Sequence, residues 1–65
     1  MNLYNIQLID TEDMDITEIT RTAPNMECLI KEVVAIANDC NNDGYFIDKI
    51  KIFNRDYEFI TSFNL

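Results

Sequence analysis

Cys28 and Cys40 are the only thiols in a chain that contains no histidine. A nucleophilic cysteine needs a base or a positive field to hold its thiolate, and Glu27 and Glu32 beside Cys28 oppose an anion there. The two cysteines lack C-x-x-C spacing, and no imidazole is present to complete a zinc site. On one continuous helix they would stand about 18 Å apart, too far for a disulfide. Reduced thiols and a cytoplasmic setting are the expectation. Twelve Asp and Glu provide pairs for acid–base work on a sugar, but a 65-residue domain offers no deep cleft to hold one. A single glycine cannot build a phosphate-cradling loop. The chain is expected to be no enzyme and to need no cofactor.

One run has the right atoms for a cation. Asp39-Cys40-Asn41-Asn42-Asp43-Gly44 places oxygen-bearing side chains at alternate positions ahead of a glycine, and it follows a helical pattern. Over these six residues it resembles the first half of an EF-hand calcium loop. The second half departs from that pattern, with Ile50 where the bidentate Glu belongs and a strand pattern where a helix should follow. Asp39, Asn41 and Asp43 are therefore a weak calcium candidate, and a helix-to-strand turn uses the same residue types for their backbone preferences.

Charge is the stronger signal. The formal net charge is −7, from twelve acids against five bases. Such a surface repels phosphate, so direct nucleic-acid binding is not expected. Residues 1–28 hold six acids and only Arg21, whereas residues 29–65 hold six acids and four bases. The excess therefore sits at the front of the chain, where Asp10, Glu12, Asp13, Asp15 and Glu18 surround Met14. An acidic projection of this kind is attracted to a groove lined with Lys and Arg, such as nucleic-acid-binding proteins own. These five acids, with Met14 as an apolar anchor, are the expected partner-binding residues.

The elements that would carry them follow from periodicity. Leu3 to Ile9 alternate as a half-buried strand, and Asp10 to Asp15 form a turn. Ile16 to Ala23 are rich in β-branched residues and read as a second strand, paired with the first. Ile16 and Ile19, three apart, call for a bulge or a single helical turn. Pro24-Asn25 breaks the pattern, Asn25 caps a helix from about Met26 to Asp39, and Glu27 sits favourably in its first turn. Its apolar arc comprises Met26, Leu29, Ile30, Val33, Val34, Ile36, Ala37 and Cys40, with Cys28 turned outward. Gly44 closes the turn with a positive φ. Tyr45 to Phe53 and Tyr57 to Phe63 read as a second hairpin around Asn54-Arg55-Asp56, with Tyr57, Phe59 and Phe63 on one face.

The order is ββαββ in one domain over residues 1–65, an α+β fold with a small, mostly antiparallel sheet and one helix packed on one face. The other face would show Leu3, Ile9, Phe53 and Ile60 among Asn5, Gln7, Lys49 and Lys51, a place where a second copy of the chain could associate. No apolar stretch reaches the roughly 18 residues of a membrane span, and no membrane partner is expected.

In length, acidity, Asn/Ile/Asp-rich and Ala/Gly-poor usage, and an acidic hairpin on a minimal scaffold, the chain resembles the small acidic proteins encoded by bacteriophages and mobile elements. The resemblance covers the whole chain in composition, contains no diagnostic motif and assigns no residue. It implies an inhibitor that imitates nucleic acid, anti-CRISPR-like proteins being the most specific version. The two alternatives are a homo-oligomeric assembly module using the uncovered face and a small calcium-binding domain.

Overall fold

The computed structural model describes residues 1–65. Its elements are β1 (Asn2–Asp10), β2 (Asp15–Ala23), α1 (Met26–Asn42), β3 (Ile47–Asn54) and β4 (Phe59–Asn64). The strands form one antiparallel sheet in the order β2-β1-β3-β4, so the ββαββ fold read from the sequence is the one observed.

Alternation along β1 decides which face is covered. Tyr4, Ile6 and Leu8 are buried, and Ile50 and Ile52 of β3 stand beside them on the same face. Leu29, Val33 and Ala37, spaced four apart on α1, bury fully against them. Ala23 and Ile47 complete the core, and Ile19, Met26, Ile30, Ile36, Cys40 and Phe63 pack half-buried around its edge. The helix starts with Asn25 as N-cap, whose Oδ1 accepts from the Cys28 backbone N–H.

Several expectations shift. The Ile16/Ile19 spacing needs no bulge, because β2 pairs with β1 in unbroken register. Ile19 faces the helix side beside Ile6, and Ile16 faces the open side beside Ile9. The register shifts fall instead between Ile9 and Asp10 against β3, and between Ile52 and Phe53 against β4. The second shift separates Tyr57, Phe59 and Phe63. Phe63 pairs with Ile50 on the helix side, Phe59 packs edge-on against Phe53 on the open side, and Tyr57 lies in the turn with φ 62°. The helix runs three residues past Asp39, and Tyr45 and Phe46 are connection rather than strand. Gly44 does adopt a positive φ, 106°.

The open face is less apolar than its residue types suggested. Leu3, Ile9 and Phe53 do lie on it, with Ile16 and Phe59 added. Across its middle runs a polar row, Glu18–Gln7–Lys51–Ser62, in which Gln7 Nε2 donates to Glu18. Asn5 beside that row donates to the Asn54 and Arg55 carbonyls and accepts from Thr20. The apolar residues are thereby split into two small groups at opposite ends.

Candidate functional site

The β1–β2 loop, Thr11–Met14, hangs from one side chain. Asp10 ends β1 with only 3% of its surface exposed. Its Oδ1 accepts from the Glu12 and Asp13 backbone N–H groups, closing the turn in the manner of an Asx motif. Its Oδ2 accepts from the Phe46 backbone N–H, 36 residues further along the chain. Thr11 Oγ1 adds a bond to Asp48 Oδ2. The first hairpin is thus fastened to the connection that follows the helix.

A second clamp holds that connection from the helix side. Asn41, in the last turn of α1, donates from Nδ2 to the Ile47 carbonyl and accepts at Oδ1 from the Ile47 N–H. Its amide imitates one rung of a β-ladder and ties the helix end to the start of β3. The helix C-terminus, with no basic residue in the last turn, therefore lies at the same end of the molecule as the acidic loop.

Bringing these segments together concentrates the charge. Residues 10–15 and 39–48 contain Asp10, Glu12, Asp13, Asp15, Asp39, Asp43 and Asp48 and not one base. The rest of the chain holds five acids and five bases, and the nearest of those bases, Lys49, stands opposite Ile9 at the rim of this pole. The molecule's ion pairs, Arg21–Glu32 and Lys31–Glu27, both lie elsewhere, so no carboxylate of the pole is ion-paired within the chain. An open groove of about 460 Å³ crosses it, lined by Thr11, Glu12, Asn41, Tyr45, Phe46, Ile47 and Asp48. Tyr45 and Phe46 expose about half their surface (54% and 55%), and Met14 exposes 80%.

The residues singled out from sequence divide three ways. Glu12, Asp13, Met14 and Asp15 are exposed on or beside the loop. Asp10 is buried, and its carboxylate is engaged by three backbone donors, so it positions the loop and presents no surface. Glu18 sits on the open sheet face with Gln7, an odd number of residues from Asp15 and on the opposite side of β2. Asp39, Asp43, Asp48, Tyr45 and Phe46 complete the pole and were not read as part of it. One signal for them was legible: no Lys or Arg occurs between Lys31 and Lys49. The calcium candidate meets a competing use of its atoms, because Asn41 is committed at both ends of its amide to Ile47, and Asp39 and Asn41 are still helical.

What this arrangement can do is attract cations. Seven carboxylates and a helix C-terminus share one end, none of the seven in an ion pair within the chain, around two aromatic faces able to receive Lys or Arg side chains. No family model, no curated protein and no solved structure matches the chain.

Proposed function

We propose that this chain is a non-enzymatic binding module that docks its acidic pole against a Lys/Arg-lined surface of a nucleic-acid-processing protein, excluding the nucleic acid from it. A phage-type inhibitor acting in the host cytoplasm, anti-CRISPR-like in its sharpest form, is the version that fits the compositional resemblance. The observation that carries this reading is the partition of charge: seven carboxylates and no base in the two segments that meet at one end, residues 10–15 and 39–48, and electrical balance over the other residues. A protein made acidic only for solubility gains nothing from such a partition, whereas an electrostatic guide gains orientation from it. Exposed Met14, Tyr45 and Phe46 supply apolar contact where the partner arrives, since charge alone gives rate and orientation more than affinity.

The reading revises the docking set. Glu12, Asp13, Met14 and Asp15 stay, Asp43, Asp48, Tyr45 and Phe46 join them, and Asp10 acts as the anchor behind them. The test is capture of partners from a bacterial lysate on the immobilised protein at low and high salt. The retained protein should be basic, nucleic-acid-binding and released by salt. Changing Glu12, Asp13 and Asp15 together to Ser should abolish retention at low salt without loss of fold, since none of the three carboxylates has an internal partner. Undiminished retention by that variant contradicts the proposal.

A further inference from the structure

The two edges of the sheet differ in a way that the acidic pole does not explain. An edge strand offers unpaired backbone groups, and proteins guard them with charge, proline, bulges or a covering element. The β2 edge is guarded. It carries Asp15, Glu18 and Arg21, the last bridged to Glu32 of the overlying helix. The β4 edge is Phe-Ile-Thr-Ser-Phe-Asn, without a charge or a proline, and its bulge lies at the Phe59 end, leaving Thr61 to Asn64 in regular register. The helix packs across β2 and β3, and β4 contains no fully buried residue.

The ladder shows which groups of β4 are free. The Leu65 N–H donates to the Asp48 carbonyl, in register with the pairing of Asn64 with Lys49 and Phe63 with Ile50. By the two-residue alternation of an antiparallel ladder, Phe63 and Leu65 then face β3, while Ser62 and Asn64 turn both N–H and C=O outward. These outward groups form a self-complementary row. Under a two-fold axis at Phe63, Ser62 of one copy stands opposite Asn64 of the other, and each pair exchanges bonds in both directions. The half-buried Phe63 ring then meets its own counterpart across the axis on the helix side.

We infer that β4 is the site of self-association, two copies of this chain pairing antiparallel through it into one continuous eight-stranded sheet. The charge distribution selects a second copy over a charged partner. The edge carries no charge for one to recognise, and antiparallel pairing sends the two acidic poles to opposite sides of the axis. Asp48 on β3 is offset from its counterpart by three strand spacings across the sheet, about 14 Å, and by four residues along it, about 13 Å, well beyond the Debye length of about 8 Å at physiological salt. The interface is small, so the dimer exchanges with monomer and leaves both poles free to dock.

The experiment is sedimentation equilibrium from about 10 µM to about 1 mM, joined to amide hydrogen exchange at both ends of that range. The mass should rise from one chain to two, and the amides of Ser62 and Asn64 should slow at least about tenfold on concentration while other exposed amides do not. Ser62→Pro removes an outward donor that the monomer does not use, so it should melt as the unaltered chain does and remain single. A chain that stays monomeric throughout overturns the inference, whether or not it takes up an unrelated extended peptide. So does a dimer in which the Ser62 and Asn64 amides remain fast, or one that Ser62→Pro leaves intact. If Ser62→Pro fails to fold, the exchange of the unaltered chain decides alone.

Discussion

The two hairpins of this molecule use the same local device to opposite ends. Each closes on an Asx side chain at the last residue of its first strand, and each has a non-glycine residue in the left-handed region, Met14 (φ 59°) in one and Tyr57 (φ 62°) in the other. In the second hairpin the device is self-contained: Asn54 accepts from the Asp56 and Glu58 N–H groups and donates to the Glu58 carboxylate. In the first, the Asx residue is a buried carboxylate, and its second oxygen reaches across to Phe46. That additional bond turns a local turn into a joint between two distant parts of the chain. A neutral, half-buried Asn serves a loop alone, while a buried carboxylate with three donors ties its loop to the connection that leads into β3.

The comparison breaks most visibly at its buried member. Asp10→Ala leaves three backbone donors without their acceptor, and hydrogen bonds to charged groups are the costly ones to lose. We expect a loss of about 3 kcal/mol in denaturant unfolding, with faster amide exchange at Glu12, Asp13 and also at Phe46. Asn54→Ala should cost only about 1 kcal/mol, and the faster exchange should stop at Asp56 and Glu58. Equal losses in the two variants, or Phe46 unaffected in the first, would show that the hairpins are equivalent after all.

A smaller effect sharpens the same contrast. Met14 has its backbone in a region that Asn tolerates far better, so Met14→Asn should stabilise the fold by about 0.5 kcal/mol, read as a small rise in Tm. On the docking account the same substitution lowers affinity for the basic partner, because an exposed apolar side chain held at a strained position is contact surface. A gain in stability with binding unchanged would strip Met14 of that role.

The fold was legible because most of its determinants are local. Alternation in Leu3–Ile9, the β-branched run of Ile16–Ala23 and the four-residue stripe of Leu29, Val33 and Ala37 each pick their element without help from the others. What misled was pattern that tertiary pairing overrides. Ile16 and Ile19 looked out of phase for a strand, yet each has an isoleucine opposite it on β1, Ile9 and Ile6, on different faces. The bulge in β4 switched Phe59 and Phe63 to opposite sides, something no spacing within Tyr57–Phe63 announces.

The site was half legible for a related reason. Charge counted along the chain separated an acidic front from a milder remainder, and it assigned to one exposed surface both Asp10, which holds the loop from beneath, and Glu18, which lies on the open sheet face. Folding regroups the carboxylates by position in space. The link from Asp10 to Phe46 and the clamp of Asn41 on Ile47 are made by single side chains to backbone atoms, and such bonds leave no periodic trace. Asn41 is a telling instance, since the residue type that suggested a calcium ligand engages Ile47 with both ends of its amide.

The most direct test of a polarised charge needs no knowledge of the natural partner. Titrating a short oligo-lysine peptide into isotopically labelled protein at low salt, with backbone amide shifts followed by NMR, reports where a cation settles. The account predicts saturable shifts confined to residues 10–15 and 39–48, with Tyr45 and Phe46 among the largest, and their disappearance at high salt. Shifts of equal size around Glu18, Glu27, Glu32 and Glu58 would mean that the negative potential is spread over the molecule, and the account would be wrong.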